Sequence, residues 1–286
     1  MRCWNALNLR RIALVTAAVM VCTLIARTQD PQGKVRHPRY KVIDVGTFGG
    51  PNSYYFLPFG PSISRSGVVV GGADTTEPDP DYPSCFQNAC LAVHAFKRSS
   101  GKLTDLGTLP NGANSGAIYI NDSGLIAGFG DDGLTDPFTG TPDLVPLAWQ
   151  GRKLIEIGTL GGSFGFPNGI NNRGEIVGVA LNAVPDDFSM LGLGPTETRA
   201  FLWREGALKD LGTLGGADAW AAYNNQQGQI AGWSYTDSAP NPTTGVPTQH
   251  PYLWDKGRMR DLGTLGGTLA VVGSFGSPGG GALNNR

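Results

Sequence analysis

Carboxylates are the side chains of this chain best placed to do chemistry, and they fall into two groups. One group repeats. Asp44, Asp105, Glu156, Asp210 and Asp261 each open a phrase whose fullest form is Asp-Leu-Gly-Thr-Leu-Gly-Gly, at intervals of 61, 51, 54 and 51 residues. The other group is irregular. Asp131, Asp132, Asp136, Asp186, Asp187 and Asp237, with Glu77, Asp79 and Asp81, lie in segments of uneven length rich in Pro, Asp, Thr and Gly. Paired carboxylates are what glycoside hydrolysis needs, one as acid and one as base or nucleophile. Carboxylate oxygens also suit Ca²⁺, although no run here matches a Ca²⁺-loop pattern. An acid repeated in every unit is first a scaffold part, accepting hydrogen bonds within its unit. The irregular acids are the better site material. Asp131, Asp132, Asp186, Asp187 and Asp237 are the candidate ligand-binding residues; no residue is assigned as catalytic or as a metal ligand, and Ca²⁺ is the one cofactor left open.

Other chemistries find little support. Of three histidines, His94 and His250 occupy one equivalent repeat position, which marks them as structural, and His37 precedes the repeats. There is no Gly-x-Ser-x-Gly, phosphate-cradling loop or zinc pattern. The run Gly276–Gly281 lacks the Lys and the strand-to-helix setting of a phosphate site. Trp149, Trp203 and Trp254 recur at one position and are expected to pack between units rather than to offer a sugar platform. Cys85 and Cys90, five residues apart, are expected to form a disulfide in an exported loop. So short a ring stabilises the whole fold little but stiffens its loop.

The elements that carry these residues can be read from the repeat. Upstream of the phrases at Glu156, Asp210 and Asp261 stands an aromatic or apolar pair spaced by two, such as Phe201 and Trp203, with Phe96 and Arg98 in the same places before Asp105; that spacing puts both side chains on one face of a strand. A Gly-containing turn follows, as in Arg204-Glu205-Gly206, and then a strand running into the phrase, Ala207 to Leu214. That is a hairpin. A second hairpin precedes it, clearest in Gly169-Ile170-Asn171-Asn172-Arg173-Gly174-Glu175-Ile176-Val177-Gly178. The Asn side chain can bond the backbone two residues on and the Gly takes the left-handed position. The Gly after the apolar triplet points to close approach of another backbone. Four short strands at this period predict an all-β fold, a β-propeller-like array of four-stranded antiparallel units. The variable segments, Asp74 to Cys90, Asp131 to Asp143, Leu181 to Thr198 and Thr236 to Gln249, are expected on one face, the binding face.

The two ends break the pattern. Lys41 to Gly50 reads as a lone last strand, and Ala282-Leu283-Asn284-Asn285-Arg286 matches Gly169–Arg173 up to the residue before the turn glycine. Four full units and a partial fifth make an incomplete ring, expected of a truncated gene product or a fragment. Residues 1–26 carry Arg2, Arg10 and Arg11, then an uncharged apolar run from Ile12 to Ile25, then Ala26, the layout of a signal peptide or an N-terminal anchor. The run is shorter than the roughly 20 residues of a spanning helix. Residues 27–40 read as a linker and 41–286 as the repeat domain. Cleavage after Ala26 would leave 19 basic against 23 acidic residues, so no basic field attracts nucleic acid. The 43 glycines in 286 residues suit strands and tight turns.

With the phrase, His94-Ala95-Phe96 and the Asn-Asn-Arg-Gly hairpin in view, residues 40–286 resemble the bacterial extracellular repeat proteins named for a His-Ala-Phe motif. The triplet is intact once; its counterparts are Val145-Pro146-Leu147, Arg199-Ala200-Phe201 and His250-Pro251-Tyr252. The resemblance implies an exported repeat protein, secreted, periplasmic or at the bacterial cell surface, and supplies no catalytic residues. The expected role is non-catalytic binding or scaffolding, with a glycan or an extracellular protein as partner and membrane contact only through an uncleaved N-terminal segment. The alternative is a carbohydrate-active hydrolase or lyase, which would show as two carboxylates from different units converging in one pocket.

Overall fold

The computed structural model describes residues 40–56, 61–272 and 283–285. The export segment 1–26, Cys3, Cys22, His37 and the run 276–281 lie outside the described residues. The chain divides into two bodies, Met1–Asp44 and Val45–Arg286. Of the first, Tyr40–Asp44 are described as an exposed stretch with no strand structure, Val42 being 95% exposed. The lone strand expected over Lys41 to Gly50 does not form among the described residues; the first strand is at Ser53–Tyr54.

The second body is all-β among the described residues, without helices. Four sheets follow one another, each of four antiparallel strands in chain order. Unit 1 holds β1 (Ser53–Tyr54), β2 (Val69–Pro78), β3 (Leu91–Ser99) and β4 (Lys102–Asp105). Unit 2 holds β5 (Ser115–Ile120), β6 (Leu125–Thr135), β7 (Pro142–Gln150) and β8 (Lys153–Glu156). Unit 3 holds β9 (Gly161–Ile170), β10 (Ile176–Pro185), β11 (Thr196–Arg204) and β12 (Ala207–Asp210). Unit 4 holds β13 (Ala219–Asn224), β14 (Ile230–Pro240), β15 (Pro247–Asp255) and β16 (Arg258–Asp261). A parallel pairing of Leu144 with Phe164 joins the second and third sheets.

Both hairpins of each unit form where the turn chemistry puts them. In the first, the N–H of Gly124 donates to the Asn121 carbonyl at 3.1 Å, Gly174 to Asn171 at 3.2 Å and Gly228 to Asn225 at 3.1 Å. In the second, two-residue loops join strands paired at Ser99↔Lys102, Gln150↔Lys153, Arg204↔Ala207 and Asp255↔Arg258. Ser100-Gly101, Glu205-Gly206 and Lys256-Gly257 have positive φ at both residues, as a type I′ turn requires. Unit 2 differs: Gly151 alone has positive φ, and Arg152 takes the second place. The expected close approach also holds. A Cβ on Gly71, Gly128, Gly178 or Gly232 would overlap the carbonyl oxygen of Tyr54, Gly116, Phe166 or Trp220 on the first strand of its sheet.

The core is divided among the junctions between successive units. Ala95, Ile126, Leu147 and Trp149 pack between units 1 and 2. Tyr119, Ile176, Phe201 and Trp203 pack between units 2 and 3, and Val177, Ile230, Tyr252 and Trp254 between units 3 and 4. The three recurring tryptophans are buried there, and Trp149 Nε1 donates to the Leu106 carbonyl at 2.9 Å. Buried aromatic area, rather than a stacking platform, is what the position supplies.

Hydrogen bonds stitch the same junctions. Asn121 Nδ2 donates to the Asn171 carbonyl, Asn171 Nδ2 to that of Asn225, and Asn225 Nδ2 to that of Asn284, each at 2.9 Å. Asn284 and Asn285 thus occupy the turn position of a next unit, in the register the sequence predicts. A second link joins the residue before each His-Ala-Phe position to the start of the next unit. Val93 N–H donates to Asn114 Oδ1 at 2.9 Å and Thr198 N–H to Asp218 Oδ1 at 2.7 Å. At the corresponding places Leu144 pairs with Phe164 and Gln249 with Leu269 through parallel bridges.

Candidate functional site

Four of the repeated acids, Asp105, Glu156, Asp210 and Asp261, end the fourth strands, and the Gly-Thr-Leu that follows is the connection onward. The strand expected to run on to Leu214 stops at Asp210. These acids are exposed, and Asp105, Asp210 and Asp261 are each tied within their own unit. Asp105 Oδ2 lies 2.8 Å from His94 Nδ1 while Oδ1 accepts the Gly107 N–H at 2.7 Å. Asp261 meets His250 at 2.8 Å and Gly263 N–H at 2.7 Å; Asp210 accepts from Arg199 Nε at 3.0 Å and Gly212 N–H at 2.8 Å. Burial alone would raise the Asp105 carboxyl, but His94 and the Gly107 N–H outweigh it and hold it below the usual range. The phrase and the His-Ala-Phe position are therefore two halves of one structural pair.

The variable segments are shorter than they look in the sequence. The second and third strands of each unit run on past a bulge, between Asp74 and Pro78, Asp131 and Thr135, Leu181 and Pro185, and Tyr235 and Pro240. An extra residue in a bulge leaves the ladder but not the hairpin. What remains irregular is 79–90, 136–141, 186–195 and 241–246. Each begins with a side chain turning back on its own backbone. Asp79 accepts from Asp81 N–H at 3.1 Å, Asp136 from Phe138 at 2.7 Å, Asp186 from Phe188 at 3.2 Å and Asn241 from Thr243 at 2.9 Å.

The five candidate residues are spread over three units and meet in no single pocket. Asp131 is a buried clamp, its two oxygens accepting the N–H groups of Ala113 at 2.8 Å and Asn114 at 2.6 Å. Asp132 and Asp237 cap their own bulges, accepting from Leu134 at 2.9 Å and Ala239 at 3.2 Å. Asp187 is exposed on its loop. Asp186 lies within hydrogen-bonding reach of Asp218 from unit 4, and its Oδ2 is buried with no protein partner. Asp218 accepts from Thr198 N–H at 2.7 Å and also from Met190 N–H. Burial pushes the Asp218 carboxyl up to about 7; the two N–H donors oppose that and Asp186 adds to it.

A cleft of about 320 Å³ opens where the loops of units 1, 2 and 3 come together. Phe86, Phe129, Phe164, Leu144 and Leu193 supply apolar wall; Asp81, Gln87, Asp136, Thr139, Thr141 and Ser163 supply polar groups. The rings of Phe86 and Phe129 lie 5.5 Å apart, and both pack on Phe56 at 6.1 and 5.3 Å. The Cys85–Cys90 disulfide forms as expected and flanks Phe86, whose N–H donates to buried Asp79 at 2.7 Å. Across the cleft, Asp136 is saturated by Phe138 N–H, Thr139 N–H and the Ser163 hydroxyl, and these bonds overcome burial to keep its carboxyl low. Asp81 is raised by burial first, then by Asp131 and Asp79. Asp143, beside Asp132 and Asp136, is pushed up to about 6, burial again leading.

The aromatic lining carries no chemically reactive side chain and so lies outside the carboxylate pattern. Its signal was a departure from the repeat: Phe129 stands where other units have Gly72, Val179 and Trp233, and Phe164 where they have Asn52, Asn114 and Asp218. Among the described residues no three His, Cys, Asp or Glu side chains gather as a metal-ligand set, and no helix is long and apolar enough to cross a membrane. Compared with known proteins, the chain matches no family model and no curated protein.

Proposed function

We propose that this chain is an exported, non-catalytic binding module, a propeller-like array of His-Ala-Phe-type repeats that holds a glycan in the loop cleft. One observation carries the reading: loops from three successive units meet around three phenylalanines, with hydroxyl, amide and carboxylate groups at the rim. A sugar ring offers an apolar face and a hydroxyl edge, which such a wall complements. The volume falls at the small end of ligand sites, typically about 300–1,000 Å³. The disulfide supports an oxidising compartment outside the cytosol. A glycan array probed with the protein, followed by titration of the best binder, tests this. Phe86→Ala and Phe164→Ala should each weaken binding by roughly tenfold, the loss of one well-buried aromatic contact. Binding that survives both changes, or binding of a protein partner alone, would remove the glycan from the cleft.

A second reading has one specific observation behind it. Asp81 and Asp136 come from different units, line the same cleft, and are pushed in opposite directions, the pattern of an acid and a base in glycoside hydrolysis. It is weakened because all of the Asp136 contacts are internal to the loop and its neighbour Ser163. Turnover of the bound glycan, abolished by Asp81→Asn, would replace binding with catalysis; binding without turnover retires it.

A further inference from the structure

In a repeat protein, residues shared by all units build the scaffold, and residues peculiar to one unit are where function can be added. The edge between units 1 and 2 carries two such departures. Lys97 stands where the other units have Ala148, Leu202 and Leu253. Arg152 stands where they have the turn glycines Gly101, Gly206 and Gly257, and its own turn is rebuilt around Gly151 to admit it. Both side chains line a groove of about 570 Å³, together with Lys102, Thr104 and the Trp149 edge. No ion pair forms to Lys97, Lys102 or Arg152 among the described residues. The acid in the groove, Asp105, is already occupied by His94 and by Gly107 N–H. The equivalent place between units 3 and 4 is filled differently: Lys209 lies over the Trp254 ring at 5.3 Å, where unit 1 has Thr104.

Three unpaired cations in one groove repel each other in a chain whose charges otherwise nearly balance, 22 basic against 23 acidic. An anion is what would relieve them. We propose that this groove is a second binding site, for an acidic saccharide bearing sulfate or carboxylate groups. The guanidinium of Arg152 offers a fork of donors to a planar or tetrahedral oxyanion, and the two ammonium groups supply charge without a fixed direction. The groove lies along β3, β4 and the turn between β7 and β8, whereas the cleft lies among the insertion loops. The two sites would therefore contact different parts of a polymer.

The test is titration of the full chain with sulfated dextran, polygalacturonate and uncharged dextran, at low and at physiological salt. Binding of one or both acidic polymers and not of uncharged dextran is expected, weakening as salt screens the charges. Preference between the two identifies sulfate or carboxylate as the group recognised. The triple change Lys97→Gln, Lys102→Gln, Arg152→Gln should weaken binding by tenfold or more, on the order of the loss of two or three charge-assisted contacts. Lys97→Arg with Lys102→Arg should restore it. Changing Lys256, Arg258 and Arg260 of unit 4 to Gln should leave it unaltered. Equal binding of uncharged dextran, equal loss on changing the unit 4 cations, no loss in the triple variant, or binding of neither acidic polymer would each overturn the proposal. All six cations are at least partly exposed, so the variants are expected to fold, and an unchanged melting temperature checks it.

Discussion

At the scale of single residues, the acid with most to say is Asp218, fully buried at the start of unit 4. Its carboxyl is raised from about 3.8 to about 7. The folded state therefore holds a proton that the unfolded chain releases between these values. The contribution to stability is complete below about pH 4 and is lost as pH rises through about 7, at most a few kcal/mol over the window. The proton has a natural acceptor nearby, since the Asp186 side chain neighbours Asp218 and its Oδ2 is buried with no hydrogen-bond partner. Unit 2 shows what a neutral side chain does in this position. Asn114 Oδ1 accepts from Val93 N–H as Asp218 does from Thr198, and its Nδ2 donates to Asp79 Oδ1 at 3.2 Å. Asp218→Asn should flatten the stability profile between pH 4 and 7 in urea melts. It should also cost a little at acid pH, where Met190 N–H loses its acceptor. A variant whose pH slope matched the parent would show that Asp218 is not the group titrating. Glu205 gives a simpler case: it holds positive φ in its turn, so Glu205→Gly should stabilise by roughly 0.5–1 kcal/mol in thermal melts.

At the scale of elements, loop 79–90 is held at three places. Asp79 N–H donates to the Cys90 carbonyl at 3.0 Å, Asp79 Oδ2 accepts from Phe86, and Cys85 is bonded to Cys90. Breaking so small a ring returns little entropy to the unfolded chain, a loss of about 2 kcal/mol of stability or less by loop-closure reasoning. The effect on the cleft should be larger than the effect on the fold. Cys85→Ser with Cys90→Ser should lower ligand affinity and speed amide exchange at 81–90, with a small shift in melting temperature. A large global loss with unchanged exchange in the loop would contradict this division. Much of the element order was legible because turns announce themselves locally: Asn-x-x-Gly and x-Gly at fixed offsets require particular backbone angles. The acids misled for the same reason. Asp132, Asp186 and Asp237 bond backbone N–H groups two residues ahead, and a short-range bond of that kind leaves no pattern distinguishable from a site. The repeated Pro78-Asp79, Pro185-Asp186 and Pro240-Asn241 steps were the available clue. Phe86, Phe129 and Phe164 come from three parts of the chain, and their meeting depends on how units stack, which local sequence does not encode.

At the scale of the molecule, stability is distributed over junctions, each with its own apolar cluster and its own hydrogen-bonded stitches. Such an array behaves as neighbours coupled in a line, so damage at one junction should be felt locally first. Asn171 is the residue to test it with. It is 1% exposed and uses all its bonding capacity. Oδ1 accepts from Arg173 N–H at 3.0 Å and Glu175 N–H at 3.1 Å, closing its own turn. Nδ2 donates to Glu175 Oε2 at 2.6 Å and across the junction to the Asn225 carbonyl. Asn171→Asp keeps the acceptor that closes the turn and removes the donor that reaches unit 4. It also sets a carboxylate against that of Glu175. The cost should be about 2–4 kcal/mol, the penalty for stranding buried acceptors. Amide exchange in native buffer should then accelerate in β13, β14 and β15 while β6 and β7 keep their protection. Asn171→Ala would blur this, since it opens the turn as well as the junction. If exchange in Asn171→Asp rises equally in units 1 and 4, the body opens as one cooperative whole and the nearest-neighbour description fails. If it rises in unit 4 alone, the side-chain amide that recurs from Asn121 to Asn225 is what couples one sheet to the next.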